Sequence, residues 1–352
     1  MSQQATDRPR TMRAAKYYGA NDVRLEEVEV PVPGDGEVLL RVLRSGICGT
    51  DATEWRSGPH MLPVAHEHPV THHLGAVIPG HEFIGEVVEA GTSRFAVGDI
   101  VASGAGVSCG NCERCKEGRG NLCEQYWTLG LDTDGGLTEY VATPASTLVA
   151  LPAGLELDQA ALAQPLAVGL HAARRSGAAN GDRVVIIGAG AIGTFTLAGL
   201  LSLVEADVTV VDLPSPKLDR ALRLGASATV VADDIASIPP GVDVVIEASG
   251  APGQINRALG LVRDGGVVLQ VGLPATAQEI DVHQLVLREI TLQTTLAHVG
   301  NSDMEDAIDI LSSTNLGAEL LDSVHTLEEL PQELDRLARG QVDGKVIFDL
   351  TR

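Results

Sequence analysis

The sequence predicts an α/β chain of two domains, a β-rich barrel or sandwich and a doubly wound parallel sheet. Three observations carry this. The chain has 352 residues, and a norm of ~150 residues per domain gives about two. Its first half alternates apolar and polar residues in short runs bounded by turn residues, as half-buried strands do. Beyond about Ala160 the runs become wholly apolar and alternate with helical stretches, as buried parallel strands with crossovers do.

The elements follow in order. Residues 1–11 are polar and lack periodicity, so they are expected to form a flexible tail. RAAKYY, VRLEEVEV and EVLLRVL read as strands, separated by the turn signals GAND and PVPGDGE. FIGEVVEAG and GDIVASGAG continue the alternation, and residues 12–159 are expected to form the first domain. RVVIIGAGAIG is a buried strand running into a helix (TFTLAGLLSL), and ADVTVVDLP, ATVVAD, VDVVIEAS and GGVVLQVG repeat the strand pattern within 160–296. Residues 297–352 hold an amphipathic helix, MEDAIDILSS, and end in the strand GKVIFDL, which is expected to rejoin the first domain.

Composition narrows the function. The chain is 44% hydrophobic and 20% charged, ordinary for a globular protein with a core of its own. Its net charge of −22 argues against a nucleic-acid surface, which needs a basic patch, and against an anionic membrane. Only Lys16, Lys116, Lys217 and Lys345 are lysines. No apolar run reaches the ~18 residues of a membrane span. The opening MSQQATDRPRTMR lacks the apolar core of a secretory signal, so a cytoplasmic protein is expected.

One motif points to a dinucleotide. Gly188-Ala189-Gly190-Ala191-Ile192-Gly193 is G-x-G-x-x-G between an apolar run and a helical stretch. Gly188 permits the tight turn, Gly190 leaves room for a pyrophosphate, and Gly193 lets the helix pack close to the strand. Asp212 closes the next strand, 24 residues after Gly188. A carboxylate there accepts from ribose hydroxyls and repels a 2′-phosphate, which favours NAD over NADP. Lys217, five residues on, could pair with the ribose or phosphate edge, or be a solvated surface lysine.

The cysteines suggest two metal sites. Cys109, Cys112, Cys115 and Cys123 form C-x2-C-x2-C-x7-C in a polar, glycine-rich loop. Four thiolates so placed suit a closed, structural tetrahedral zinc, with an iron–sulfur cluster as the competing reading. Disulfides are disfavoured in a reducing compartment. The fifth cysteine, Cys48, stands alone in SGICGTD, and a lone cysteine is often just packed. Yet His81 and Glu82 follow in PGHEF, and the three together would leave zinc an open position for water or substrate. Asp51 could orient an imidazole ligand, and Thr50 puts a hydroxyl beside the metal. His60, His66, His68, His72 and His73 crowd one loop, as an accessory metal site or simply a solvated surface.

Taken together, SGICGTD, GHEFIGEVVEAG, the four-cysteine loop, QPLAVGLHAARRSG, GAGAIG with Asp212, and GKVIFDL resemble the zinc-dependent medium-chain dehydrogenases over nearly the full chain. The likeness is to the polyol branch, which includes sorbitol and 2,3-butanediol dehydrogenases. The tract GPHMLPVAHEHPVTHHLGAVIPGHEF and the pairs Glu54-Trp55 and Gly58-Pro59 suit that branch. The resemblance implies a GroES-like catalytic domain split in sequence around a Rossmann domain. It implies catalytic zinc on Cys48, His81 and Glu82, and a proton-relay hydroxyl at Thr50. Ile192, Asp212 and Lys217 match cofactor contacts, and Val271-Gly272-Leu273 and the stretch around Leu296 match the nicotinamide end. Two residues depart from the pattern: Gln164 replaces the glutamate of an E-P-L motif near the metal, and Thr53 replaces a histidine.

The implied reaction is hydride transfer between NAD and a secondary alcohol, a vicinal diol or polyol, across a cleft between the domains. Threonine-dehydrogenase-like oxidation of an amino alcohol, or a zinc- and NAD-binding protein without turnover, are the alternatives. The expected partners are a small alcohol or ketone and further copies of the chain, as a homodimer or homotetramer.

Overall fold

A computed structural model describes residues 8–352. These divide into two compact units, one of residues 8–164 and 299–352, the other of residues 165–298. Of the expected tail, residues 1–7 lie outside the described residues, and residues 8–11 are held in place. Arg8 pairs with Glu89 at 2.5 Å, the Arg10 carbonyl accepts from Val30 N at 3.0 Å, and a strand already begins at Thr11.

In the first unit, β1 (Thr11–Gly19) and β2 (Asp22–Glu29) form a hairpin. β3 (Glu37–Ile47) leads into helix α1 (Gly49–Ser57), and β4 (Glu82–Glu89) and β5 (Ile100–Ser103) follow. A ribbon of β6 (Gly106–Val107) and β7 (Trp127–Thr128) brackets the cysteine loop, which holds the short helix α2 (Glu113–Lys116). β8 (Tyr140–Pro144), β9 (Leu148–Ala150) and the short helix α3 (Leu157–Ala160) lead to α4 (Ala163–Ser176), where the second unit begins.

The second unit alternates strands and helices: β10 (Arg183–Ile187), α5 (Ala191–Leu203), β11 (Asp207–Asp212), α6 (Pro216–Arg223), β12 (Ala228–Val231) and β13 (Val242–Glu247). Next come α7 (Gln254–Leu261), β14 (Val262–Gln270), α8 (Val282–Leu287) and β15 (Thr291–Thr294). Its six strands are all parallel, in the order β12-β11-β10-β13-β14-β15. The apolar runs are continuous because both faces are covered. Val184 and Ile186 of β10 pack into one cluster with Leu197 and Leu200 of α5, and Val185 and Ile187 into another with Ala258 and Leu259 of α7. The strand order reverses between β10 and β13, where such sheets bind ligands.

The chain then returns to the first unit through α9 (Gly300–Ser313), α10 (Leu316–Leu320), β16 (Leu321–His325), α11 (Leu330–Ala338) and β17 (Lys345–Asp349). The amphipathic run MEDAIDIL lies in α9, where Met304, Ala307, Ile308 and Leu311 are buried. The sheet order is β16-β17-β3-β4-β5-β9. β3 is its spine: its first half pairs with β8 and its second half with β17, while β4 runs along its other edge. Leu40 and Val42 of β3, Phe83 and Val87 of β4, Phe348 of β17 and Leu330 and Leu334 of α11 share one core. No helix among the described residues is long and apolar enough to cross a membrane.

Candidate active site

β3 and β4 are antiparallel neighbours whose pairing ends at Gly46 and Glu82. Cys48 lies just past the end of β3 and His81 just before the start of β4, so the register alone brings them together. Cys48 Sγ stands 3.1 Å from His81 Nε2. Glycines flank this meeting point. Gly80 has φ +100°, and a Cβ there would come within 2.8 Å of Leu137 N. A Cβ on Gly46 would stand 2.6 Å from Glu82 Oε2.

Cys48 is also the N-cap of α1. Its sulfur accepts from Thr50 N at 3.2 Å, and the Asp51 carboxylate accepts from Cys48 N at 2.9 Å. This reciprocal capping box fixes Cys48 and Asp51 and satisfies two backbone donors at the helix start. One donor atom each from Cys48, Asp51 and His81 lies within 4.8 Å of the others. Asp51, expected only to orient the imidazole, is thus the carboxylate that converges with the sulfur. Glu82 is not in that group: Lys345 Nζ reaches its carboxylate at 2.5 Å and also donates to the Ile47 carbonyl at 2.8 Å. Glu82 and Lys345 are both buried.

Burial on its own would hold His81 neutral. The negative groups around it, Cys48 first and then Asp51 and Glu82, outweigh that and push the imidazole up to about 10. Burial pushes the Asp51 carboxyl up as well. Asp51 Oδ1 and His81 Nδ1 are buried with no hydrogen-bond partner. A sulfur, an imidazole and a carboxylate that converge, with Asp51 Oδ1 and His81 Nδ1 left over, are a donor set that fits zinc.

The four-cysteine loop converges too. Cys109, Cys112, Cys115 and Cys123 have sulfurs all within 4.8 Å of one another, with pairs at 3.6, 3.9 and 4.0 Å. Disulfide sulfurs would be ~2.05 Å apart. Four sulfurs each ~2.3 Å from a central zinc would be about 3.8 Å apart. A set this tight surrounds one ion rather than a cluster. Backbone amides of Cys109 and Gln125 donate to Cys123 Sγ at 3.2 and 3.3 Å and orient it. The amides of Glu124 and Cys115 pull the Cys112 thiol down to about 6.

In the second unit the glycine turn joins β10 to α5. Gly188 has φ +108°, which favours glycine, and a Cβ on Gly193 would collide with the Gly188 carbonyl. A Cβ on Gly190 would meet nothing within 4 Å, so space is open at the start of α5. Asp212 closes β11 beside this turn. Its carboxylate accepts from Ala189 N and Leu213 N, both at 2.6 Å. Ile192 and Lys217 are half-buried in the first turns of α5 and α6. Val271 and Gly272 follow β14, and Leu273 and Leu296 are 88% and 54% exposed, apolar side chains left out of the core. These residues fit a dinucleotide.

Gln164 is half-buried in the first turn of α4. Thr53 is exposed, and its hydroxyl donates to the Gly49 carbonyl at 2.9 Å. The loop histidines scatter: His60 meets Ser57, His72 meets Glu67 and His68 meets Asp132, and they form no metal group among the described residues. Sequence reading missed Lys345, and its one signal was a scarce lysine opening an apolar strand.

Residues 34–153 match the model of the alcohol dehydrogenase GroES-like domain, and residues 191–313 that of the zinc-binding dehydrogenases. Sorbitol dehydrogenase of Bacillus subtilis is 34% identical over 281 residues, 76% of each chain. The chain belongs to the zinc-binding medium-chain dehydrogenase family. Another relative is the (R,R)-butanediol dehydrogenase of Bacillus subtilis, 33% identical over 82% of this chain and 85% of its own. The crystal structure of the 2R,3R-butanediol dehydrogenase from Bacillus subtilis superimposes with a TM-score of 0.88 at 29% identity, covering 96% of this chain and 99% of that one. The GroES-like and Rossmann folds expected of this dehydrogenase are the ones found.

Proposed function

We propose that this dehydrogenase moves a hydride between NAD and a secondary alcohol of the vicinal-diol or polyol class. The observation that carries the reading is the convergence of Cys48, His81 and an acidic oxygen in one buried pocket, in a chain that also folds a glycine turn beside Asp212. The names of the two Bacillus subtilis relatives, a sorbitol and a butanediol dehydrogenase, support the substrate class.

Cys48 and His81 would hold the catalytic zinc, with a carboxylate of Asp51 or Glu82 as the third donor. Cys109, Cys112, Cys115 and Cys123 would hold the structural one. Bound zinc supplies Lewis-acid polarisation of the alcohol oxygen, and bound NAD accepts the hydride. The chain supplies the rest. Thr50 is half-buried next to Cys48, and its Oγ1 has no protein partner among the described residues. That hydroxyl takes the alcohol proton and passes it outward to water. Asp51, His81 and Glu82 are buried, so these donors themselves lie away from bulk water. Glycines 188, 190 and 193 seat the pyrophosphate, and Asp212 accepts from the ribose hydroxyls.

The test is NADH formation by the purified protein on diols, polyols and amino alcohols, with NAD and NADP, beside its zinc content. Turnover of a diol or polyol with NAD and about two zinc ions per chain are expected. Cys48→Ser should remove one zinc and the activity while the circular dichroism spectrum stays native. Oxidation of threonine alone would move the assignment to amino alcohols. Zinc and NADH binding without any turnover, a result that Gln164 and Thr53 keep in play, would overturn the enzymatic reading. We also infer a homodimer or homotetramer working in the cytoplasm, where thiols such as these five, none of them in a disulfide, stay reduced; light scattering counts the subunits.

A further inference from the structure

The last row of the parallel sheet carries polar side chains that the mechanism above leaves unused. Ile187, Glu247, Gln270 and Thr294 stand side by side across β10, β13, β14 and β15. Glu247 is 1% exposed, and no lysine or arginine pairs with it among the described residues. Donors alone surround its carboxylate. Oε1 accepts from Ser249 N at 2.8 Å, from the Ser249 hydroxyl, and from Gly250 N at 3.1 Å, while Oε2 accepts from Gln270 Nε2 at 2.5 Å and also from Gly250 N at 3.1 Å. Gln270 Nε2 also donates to the Gly272 carbonyl at 2.6 Å. The Glu247 carbonyl in turn accepts from Val271 N at 2.8 Å and Gly272 N at 2.9 Å.

These bonds tie the loop after β13 to the loop after β14. There is no slack between them. A Cβ on Gly272 would collide with Gly250 N, and one on Gly250 would come within 2.8 Å of the Leu273 carbonyl. The loop after β13 also abuts the glycine turn, since a Cβ on Gly188 would stand 2.9 Å from Ser249 N. Beside the two loops lies a cavity of about 470 Å³, lined by Glu247, Gly250, Gln270, Leu273 and Thr294 among others.

We propose that Glu247, acting with Gln270, is a positioning residue for the nicotinamide half of the cofactor. It sets residues 249–250 and 271–273 against the glycine turn and touches no reactant itself. The inference rests on the NAD reading above. A carboxylate is required because every group facing it is a donor. An amide at 247 has one oxygen to offer. It can satisfy Ser249 or it can satisfy Gln270, while Gly250 N reaches either position, so the amide always gives up one of the bonds that hold the two loops. Gln270 cannot compensate by turning over, because its Nε2 also serves the Gly272 carbonyl.

The experiment is calorimetric binding of NADH and of AMP to the zinc-loaded wild type, Glu247→Gln and Gln270→Ala. AMP engages only the half read by the glycine turn and Asp212. Glu247→Gln is expected to weaken NADH at least tenfold and AMP less than twofold. Gln270→Ala, which frees only the Gly272 side, should shift the two probes in the same pattern by less. If NADH and AMP weaken by equal factors, the role is merely structural and the proposal falls. It falls too if either folded variant binds NADH as the wild type does. A wild type that fails to bind NADH at all sinks the NAD reading itself, and this inference with it.

Discussion

Asp212 shows how one side chain can hold a turn and choose a cofactor. Its two oxygens take the amides of Ala189 and Leu213, which fixes the carboxylate next to the glycine turn and leaves lone pairs for ribose. Asp212→Ala is expected to lower the NAD-to-NADP ratio of kcat/KM by tenfold or more, about 1.4 kcal/mol. The ratio is the proper readout, because loss of the Ala189 bond affects both cofactors alike. An unchanged ratio would show that Asp212 does not read the ribose. At this scale much of the site was legible. The glycine turn with its acid and the four-cysteine spacing are local patterns, and local spacing survives in the sequence; Cys48 and His81, 33 positions apart, were legible from the motifs around each. Lys345 was not legible as a partner, because its carboxylate lies 263 positions away. Nor was the carboxylate that converges with the sulfur. Glu82 follows His81 in sequence but meets Lys345, whereas Asp51 is held near the sulfur by its capping bond to Cys48 N.

At the level of elements, chain geometry does the assembling. The β3–β4 pair delivers Cys48 and His81, and α1 locks Cys48 with its own capping box. In the second unit the β10–α5 turn is tight enough that Gly193 has no room for a methyl group. Gly193→Ala is expected to abolish NADH binding while leaving zinc content unchanged, since both metal pockets lie in the other unit. Calorimetry and metal analysis on one preparation check both halves. The strands were readable because their burial sets their pattern: wholly apolar where helices cover both faces, alternating where one face meets solvent. The paired backbone of residues 10 and 11 was not, because MSQQATDRPRT has no periodicity and edge pairing comes from its neighbours.

Across the whole molecule, charge and closure matter. β17 is locked by ion pairs around the buried Asp349. Arg44 reaches Asp158 at 2.5 Å and Asp349 at 2.8 Å, and Arg352 meets Asp349 at 2.9 Å. Burial alone would raise the Asp349 carboxyl. Hydrogen bonds from Thr351 and the two guanidinium groups outweigh it and hold the carboxyl below its ordinary range. A depressed carboxyl contributes stability above its unfolded value of ~3.9 and loses it as pH falls through the folded value. Asp349→Asn should therefore destabilise the protein by about 1.5 kcal/mol at neutral pH, the scale of hydrogen bonds to a charged group. The gap from wild type should shrink below pH ~4, as denaturant titrations at several pH values would show; a gap that persists in acid would mean that the charge is not its source. β17 has a second effect. The pocket begun at Ile47 is finished by a lysine 298 positions later, after the entire nucleotide-binding unit. On the ribosome, that inner unit can complete its core while the half-built outer one waits. A nascent chain therefore has a cofactor fold before it has a finished metal pocket, and the capacity for chemistry comes last.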